Sequence, residues 1–348
     1  MHIAAVASAF PGNYHSQAQV ADALQSAWKL PEEEARRLRG LFRNCGVEGR
    51  HCALPLERYF EFERFGEFND AWIECALELG ERAIRDALAR ARVEPREIEL
   101  LIFTTVTGLA APSLDARLMN RIDFRPDTRR MPLFGLGCVA GAAGLARASD
   151  FLAARPGGAA LLLSVELCSL NFQREDRRPA HLISTGLFGD GAAAAVILGA
   201  ERAVGPRILA SRSVFYPDTE ELMGWEIGEH GFSLVLSPDV PAVARERLGS
   251  DVDDFLRAQG LSREDIAFWV CHPGGPKVLE AAGESLGIGR EELRVSWDSL
   301  RRVGNLSSAS VLHVLERTLA ERPPAPGSKG ILLAMGPGFC SELLLLQA

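Results

Sequence analysis

Continuous apolar runs that alternate with amphipathic stretches constrain the fold of this chain more than any other feature of its sequence. Seven short apolar runs have the length and composition of buried strands: 100–105, 159–165, 192–198, 232–236, 266–271, 331–334 and 342–346. Helical periodicity predicts helices over 16–30, 32–43, 70–92, 140–152, 242–259, 277–286 and 306–319. Because strands that are apolar throughout are typical of sheets covered by helices on both faces, an α/β architecture is predicted.

An interruption of this pattern at 199–207 predicts a boundary between residues 1–200 and 201–348, each with its own sheet-forming runs. The net charge of −8 and the lack of a polybasic block argue against a nucleic-acid partner or a membrane surface. No apolar run reaches the roughly 18 residues of a membrane span. The seven cysteines are dispersed without paired spacings, which argues against a zinc site and favours a reducing compartment such as the cytoplasm.

One cysteine differs from the others in its neighbours. Cys138 follows an apolar run and lies in a glycine- and alanine-rich stretch that continues as a helical pattern toward Phe151. Glycine permits close approach of a substrate, and a helix start carries unpaired N–H groups and partial positive charge. Both features favour a reactive thiolate. A small buried cysteine at a tight junction has the same pattern, so the segment alone fits a nucleophile or a structural residue.

Two further polar residues occupy similar positions. His272 ends an apolar strand and precedes a Pro/Gly turn and a new helix, so its ring can face a cavity. Asn305 lies on a glycine-preceded turn at another helix start, where asparagine is usually a cap. Taken singly, each is better explained by structure than by chemistry. Together with Cys138, each at a predicted strand-to-helix turn, they form a candidate catalytic set.

This set resembles the Cys-His-Asn triad of the condensing enzymes of the thiolase superfamily. Five motifs in family order narrow the resemblance to type III polyketide synthases, the chalcone synthase-like family: 137–142, 187–191, 272–276, 304–308 and 336–338. Bacterial alkylpyrone and alkylresorcinol synthases are nearest in pattern. The resemblance implies a five-layered αβαβα thiolase-like fold built from two similar halves. It also implies a homodimer, although Ala111 stands where plant relatives have a methionine that crosses the dimer interface.

The resemblance also implies roles for the triad. Cys138 would attack an acyl-CoA and hold the acyl group as a thioester, with its thiolate paired to the imidazolium of His272. The His272 N–H and the Asn305 amide would hold the thioester oxygen of malonyl-CoA as decarboxylation places negative charge on it. Malonyl-CoA and an acyl-CoA would be the substrates, and no metal or redox cofactor is implied.

A set of substrate-binding residues follows from the same resemblance. Phe188 matches a gatekeeper phenylalanine between the CoA tunnel and the cavity, and Leu234 stands at the position of a second gatekeeper. Arg43 is the basic residue at the family's positions for CoA phosphates, with Arg39 or Arg50 as substitutes. The remaining matches are a serine near the nucleophile, pocket positions and a loop that lines the cyclisation pocket: Ser307, Val106, Thr107, Cys168, Asn171, Trp225, Gly336, Pro337 and Gly338.

The pocket composition leads to a substrate prediction. Apolar replacements of family hydroxyls favour long acyl chains, since each buried methylene contributes about 0.8 kcal/mol. A tunnel beside Cys168 would admit a medium- or long-chain fatty acyl starter, and bulky Trp225 would limit extension, which favours an alkyl-α-pyrone. Alkylresorcinol and tetrahydroxynaphthalene synthases are alternatives. So is a ketoacyl-ACP synthase of the initiating type, although its usual His-Gln-Ala-Asn sequence is absent at His272. The intact triad argues against a catalytically inactive binding homologue.

Overall fold

A computed structural model describes all 348 residues of the chain. Its strands are β1 (His2–Ala9), β2 (Asn13–Ser16), β3 (Gly49–Cys52), β4 (Ile98–Thr105), β5 (Arg129–Phe134), β6 (Ala159–Leu167), β7 (Asp190–Leu198), β8 (Arg207–Phe215), β9 (Met223–Gly228), β10 (Gly231–Leu236), β11 (Ile266–Cys271), β12 (Lys329–Gly336) and β13 (Cys340–Gln347). Its helices are α1 (Gln17–Trp28), α2 (Glu32–Asn44), α3 (Phe65–Ala91), α4 (Leu114–Leu118), α5 (Ala140–Ala153), α6 (Pro179–Leu187), α7 (Val240–Arg257), α8 (Pro276–Leu286), α9 (Arg294–Val303) and α10 (Ser308–Glu321).

Nine strands form one mixed sheet in the order β11-β12-β13-β8-β1-β7-β6-β4-β5. The two ends of this sheet repeat one pairing pattern. In the N-terminal part, β4 and β6 are parallel and are followed by antiparallel β7 and β1. In the C-terminal part, β11 and β12 are parallel and are followed by antiparallel β13 and β8. The two similar halves adjoin where β1 meets β8, at the pair His2 and Arg207.

Alternating side chains of both halves share a central apolar cluster. In β4, Leu101 packs on one face with residues of α3, and Leu100 belongs to the central cluster with residues of α5 and α10. In β12, Leu332 belongs to that same central cluster, and Leu333 packs with residues of α7 and α8 on the other face. The layers are therefore α3, the N-terminal half of the sheet, α5 with α10, the C-terminal half of the sheet, and α7 with α8. The predicted five-layered αβαβα fold is confirmed.

The predicted strands and helices all coincide with observed elements of the same type. The sequence pattern did not predict the strands β1, β2, β3, β8 and β9 or the helices α4, α6 and α9; β5 corresponds to the apolar run predicted before Cys138, for which no bounds were predicted. Most of these elements are short or partly exposed: β8 carries exposed Arg207 and Phe215, and α9 begins at Arg294 and has Arg301 and Arg302 in its last turn. Such elements lack the continuous apolar run or wide apolar face on which the prediction depends. None of the helices has the length and hydropathy that a transmembrane segment needs.

Candidate active site

Cys138 lies where the N-terminal half meets the central layer. After β5 ends at Phe134, a 3₁₀ turn over Gly137–Val139 leads directly into α5. The buried sulfur, on a side chain 6% exposed, lies 3.8 Å from the Ser307 hydroxyl oxygen. The predicted strand-to-helix position of Cys138 is thus observed, and the start of the 14-residue helix α5 follows it. A helix start at this point places partial positive charge near the sulfur.

His272 follows β11 directly, on the C-terminal half. Its main-chain N–H donates to the Leu333 carbonyl at 2.9 Å, which ties the residue to β12. The side chain is 4% exposed, and neither ring nitrogen has a hydrogen-bond partner. A buried polar group without a partner is rare in proteins and is characteristic of sites that await a ligand or carry out chemistry. The imidazole is therefore free to exchange a proton with a substrate.

Asn305 lies in a junction between two helices, α9 and α10, and not after a strand as predicted. Its Oδ1 accepts hydrogen bonds from the Ser307 main-chain N–H at 2.8 Å and from the Ser310 hydroxyl at 3.3 Å. Its Nδ2 donates to the Gly274 carbonyl at 3.1 Å. These bonds fix which end of the amide carries the hydrogens, because only nitrogen can donate to a carbonyl. One amide hydrogen remains for a substrate oxygen.

The three side chains line one cavity. Cys138 comes from the N-terminal half, whereas His272 and Asn305 come from the C-terminal half. The rest of the wall is almost entirely apolar: Leu187, Phe188, Met223, Leu234, Leu236, Val240, Leu248, Cys271, Gly274, Val278, Ala282, Leu333, Met335 and Phe339. Phe188 and Leu234, the two predicted gate residues, are both in this wall. An apolar enclosure strengthens any electrostatic interaction between the triad and a substrate.

Burial opposes charge on either partner of the expected ion pair. It raises the pKa of the Cys138 thiol to about 12 and lowers the pKa of the His272 imidazole to about 3. In this structure no hydrogen bond joins the two side chains. Proton transfer from sulfur to ring nitrogen creates both charges together and leaves the net charge unchanged. Their mutual attraction then offsets the cost of desolvation. We therefore expect the pKa of the Cys138 thiol to be lowered in the working enzyme.

A second cavity adjoins the first, and Phe188 lines both. Two predicted pocket residues, Cys168 and Asn171, line this second cavity and not the triad cavity. Its other lining residues come from α1, β3, α6 and the connecting loops: Val20, Ala23, Leu24, Arg50, Cys52, Leu56, Tyr59, Phe60, Ser169, Phe172, His181, Ser184 and Thr185. The Phe188 ring therefore separates the triad from a mostly apolar space in the N-terminal half.

Val106 and Thr107 do not line either cavity; they belong to a buried network around Glu166. The Glu166 carboxylate accepts hydrogen bonds from the Val106 main-chain N–H, the Thr107 hydroxyl and the Ser308 hydroxyl. The Trp72 indole donates to the Thr107 oxygen at 3.2 Å, so this hydroxyl is already fully engaged. Burial raises the pKa of Glu166. Sequence analysis missed Glu166, although a single carboxylate within an apolar strand was the available signal.

The remaining predicted pocket residues do not line the triad cavity but adjoin residues that do. Trp225 is partly exposed and lies between Phe188 and Phe232, with ring centroids 6.4 and 6.2 Å away. It pairs with Leu234 across the β9–β10 hairpin, which places both side chains on one face. The loop of Gly336, Pro337 and Gly338 packs against the turn that carries Cys138. A Cβ at Gly336 would lie only 2.7 Å from the Val139 main-chain nitrogen, so this contact requires glycine.

The predicted CoA-binding cations differ in their surroundings. Arg43 is exposed near the C-terminus of α2 and is available to a phosphate. Arg39 pairs with Glu32 and Asp22. Arg50 is 2% exposed and cannot reach a phosphate at the surface, so its suggested role as a substitute is wrong. Three of its partners are main-chain carbonyls, which leave no trace in the sequence, and the fourth is the side-chain oxygen of Gln17.

The fold and the cavity define a condensing enzyme of the thiolase type, with a cysteine nucleophile beside histidine and asparagine. Comparison with known proteins agrees. Residues 12–206 match the family described as FAE1/Type III polyketide synthase-like protein, and residues 207–348 match Chalcone and stilbene synthases, C-terminal domain. The chain belongs to the chalcone synthase-like family of type III polyketide synthases, which are malonyl-CoA-dependent acyltransferases that form carbon–carbon bonds.

Individual relatives span nearly the whole chain. A 1,3,6,8-tetrahydroxynaphthalene synthase from Streptomyces peucetius subsp. caesius is 48% identical over 99% of this chain and 92% of its own length. A 3,5-dihydroxyphenylacetyl-CoA synthase from Amycolatopsis balhimycina is 33% identical over 99% of this chain and 92% of its own length. The crystal structure of the tetrahydroxynaphthalene synthase from Streptomyces coelicolor A3(2) matches with a TM-score of 0.94, at 30% identity, over 100% of this chain and 99% of that one.

Proposed function

We propose that the enzyme builds its product from malonyl-CoA alone and releases a tetrahydroxynaphthalene. The proposed chemistry is supported by the cavity that Cys138, His272 and Asn305 line together, in which both ring nitrogens of His272 lack a hydrogen-bond partner. The product class is supported by relatives at 48% and 34% identity that are named for 1,3,6,8-tetrahydroxynaphthalene. The fatty acyl starter and the alkylpyrone expected from pocket composition have no comparable support.

Loading is the first step. The Cys138 sulfur attacks the thioester carbonyl of the starter as its proton moves to His272. The tetrahedral intermediate collapses with cleavage of the bond to CoA, and the CoA thiolate takes a proton from His272. The acyl group is then held on Cys138 as a thioester, and His272 is again neutral with one N–H to donate.

Decarboxylation and condensation follow on the loaded enzyme. The His272 N–H and the free Asn305 amide hydrogen donate to the thioester oxygen of malonyl-CoA, where negative charge develops as carbon dioxide leaves. The Phe188 ring beside the carboxylate disfavours its charged form and therefore favours this loss. The enolate carbon attacks the Cys138 thioester and releases the thiolate. The chain, now longer by two carbons, is attached to CoA and can return to Cys138.

The chemistry of the product fits this repeated step. A naphthalene has ten ring carbons, and hydroxyl groups at positions 1, 3, 6 and 8 follow the alternating oxygen pattern of two-carbon units. Five malonyl units supply all ten carbons: four of them lose carbon dioxide as they condense, and the starter loses its carboxylate as carbon dioxide during ring closure. One carbonyl oxygen leaves as water in the aldol closure, so four hydroxyls remain and no other acyl-CoA is needed.

A second candidate, the alkylpyrone synthase, is favoured by one observation. The second cavity behind Phe188 is mostly apolar and contains Cys168, where a long acyl chain could lie. An alkylresorcinol synthase would use the same space and differ only in ring closure.

Product analysis distinguishes these candidates. The purified enzyme is incubated with malonyl-CoA alone and with malonyl-CoA plus acyl-CoAs of graded length, and products are identified by mass. The proposal predicts an aromatic ten-carbon product from malonyl-CoA alone, which added acyl-CoA does not replace. Products that form only with an added acyl-CoA, and whose mass increases with its length, would refute the malonyl starter and support the alkylpyrone.

A homodimer completes the proposal. Strand β5 is an edge strand of the sheet, and unprotected edges are uncommon in monomers. The last residue of β5, Phe134, is 49% exposed. Leu109, two residues from Ala111, is 39% exposed. We propose that a second copy covers this edge. Sedimentation of the wild type at the mass of two chains, and of Phe134→Glu at the mass of one, is the expected result; a monomeric wild type would contradict it.

A further inference from the structure

Arg50 is a buried cation that holds the end of a helix. From β3, its Nη1 donates to the main-chain carbonyls of Thr185 and Phe188, the latter at 2.9 Å. Its Nη2 donates to the Gly186 carbonyl at 2.8 Å and to the side-chain oxygen of Gln17. A helix leaves its last carbonyls without partners, and the guanidinium provides them for the end of α6. The segment that carries Phe188 is thus attached to the protein interior on this side.

The same segment is attached to the catalytic loop on its other side. The Asn305 main-chain N–H donates to the Leu187 carbonyl at 2.9 Å, and the Gly189 N–H donates to the Asn305 carbonyl at 3.0 Å. A Cβ at Gly189 would lie 2.2 Å from the Val303 carbonyl oxygen, so only glycine allows this approach. Phe188 therefore lies between a fixed guanidinium and the main chain of a triad residue.

The chemistry of this position favours arginine over other donors. Carbonyls at the C-terminus of a helix carry partial negative charge, which a cation stabilises. The planar guanidinium offers five N–H donors in a fixed fork, so it can bind three carbonyls of one turn together. A lysine ammonium keeps the charge but lacks the fork. Arg50→Lys therefore loosens the segment without burying an unpaired carboxylate or creating a large cavity.

We propose that Arg50 is a positioning residue. It keeps the Phe188 ring and the Asn305 side chain in the relative positions that condensation requires. The inference depends on the proposed function. Decarboxylation requires donors on the thioester oxygen, whereas condensation also requires the enolate carbon to be held against the Cys138 thioester. When the Phe188 segment loosens, the enolate escapes capture, takes up a proton at carbon and leaves as acetyl-CoA. The ratio of acetyl-CoA to condensed product therefore reports how often the enolate escapes before it reaches the Cys138 thioester.

The test measures this ratio for the wild type, Arg50→Lys and Arg263→Lys with malonyl-CoA as substrate. Arg263 is a matched control, because its guanidinium also donates to two main-chain carbonyls, those of Ser285 and Gly249, far from the triad. For Arg50→Lys we expect the ratio to rise on the order of tenfold, since small misplacements of reacting groups have large effects. Arg263→Lys should lower the melting temperature and leave the ratio at the wild-type value.

The ratio does not depend on how much enzyme is folded, so a purely structural role would not move it. An unchanged ratio in Arg50→Lys, with condensation observed in the wild type, would overturn the inference and leave the proposed function intact. Absence of malonyl-CoA decarboxylation in the wild type would contradict both. If Arg50→Lys does not fold, Gln17→Met is measured, which keeps the guanidinium and removes its side-chain acceptor. A smaller rise in the ratio supports the inference, and no rise contradicts it.

Discussion

The two cavities that meet at Phe188 contain the same residue types and differ in how those residues are held. The triad cavity has Cys138, His272 and Asn305. The second cavity has Cys168, His181 and Asn171. In the first, both imidazole nitrogens are unpartnered; in the second, the His181 Nε2 accepts a hydrogen bond from the Gln173 N–H at 3.3 Å.

The cysteines and asparagines differ in the same way. Cys138 precedes the long helix α5, whereas Cys168 begins a four-residue 3₁₀ turn, which lacks a comparable helix start. The Asn305 amide is oriented by hydrogen bonds at both ends, whereas the Asn171 Nδ2 has no partner. Residue type alone does not make a catalytic site. Orientation of the amide, a free imidazole and a helix start behind the thiol distinguish the first cavity from the second.

Replacement of the two cavity cysteines should give the largest difference. Cys138→Ala removes the sulfur that carries the chain, so we expect polyketide formation from malonyl-CoA to fall by about 10⁴-fold or more. Cys168→Ala should lower the rate far less, because no step of the proposed mechanism passes through that thiol. Product formation measured by mass checks both variants. Comparable losses in the two would break the distinction between the cavities.

Removal of His272 should change the pH dependence of Cys138. An imidazolium beside the sulfur lowers the thiol pKa, whereas burial is the largest of the influences that together raise it to about 12. Without the imidazolium, burial remains the largest influence on the thiol pKa in His272→Ala, so alkylation of Cys138 by iodoacetamide at pH 7 should fall on the order of 10³-fold and recover as pH rises. Peptide mapping separates Cys138 from the other thiols. His181→Ala is the matched control, and an identical pH profile in His272→Ala and wild type would contradict the proton transfer.

Asn305 should contribute less than the two preceding residues, because it supplies one of two donors. Asn305→Ala is expected to lower malonyl-CoA decarboxylation on the order of 10²-fold, the usual effect of removing one donor to a developing oxyanion. Release of labelled carbon dioxide measures this step directly. Asn171→Ala provides the comparison in the second cavity. A larger loss of decarboxylation in Asn171→Ala than in Asn305→Ala would reverse the assignment.

Filling the second cavity should have the smallest effect on the malonyl-CoA reaction. Cys168→Phe introduces a ring into the apolar space behind Phe188, so long acyl-CoAs should no longer compete for loading. The rate with malonyl-CoA alone should change only slightly if all units come from malonyl-CoA. Competition assays with graded acyl-CoAs measure the difference, with Cys168→Ala as the control. Loss of the naphthalene product in Cys168→Phe alone would show that the growing chain occupies this cavity.

Much of this organisation follows from the sequence, for identifiable physical reasons. Strands buried on both faces must be continuously apolar, so β4, β6, β7 and β12 are visible as runs. The edge strand β5 has one face outside the core, so the sequence indicated it only as an apolar run before Cys138 without bounds. The junction of Asn305 was assigned to a preceding strand because the arginines at the end of α9 mask its apolar face.

The family resemblance predicted an acyl tunnel beside Cys168, but the sequence could not predict most of the residues that line the second cavity. Its walls come from segments that are distant in the chain, and only the fold brings them together. Three of the four partners of Arg50 are main-chain carbonyls, whose identity no side-chain pattern encodes. Thr107 matched a pocket position by residue type, but its hydroxyl is engaged by Glu166 and Trp72. Sequence patterns thus located the triad and could not show which neighbouring hydrogen-bonding groups were already occupied.

The most direct test of the central claim is the location of the covalent intermediate. The enzyme is incubated with malonyl-CoA, quenched in acid during turnover and digested, and each cysteine peptide is weighed by mass spectrometry. We predict that the Cys138 peptide gains malonyl-derived mass and that the Cys168 peptide remains unmodified. An adduct on Cys168, or product formation without any adduct on Cys138, would contradict the account.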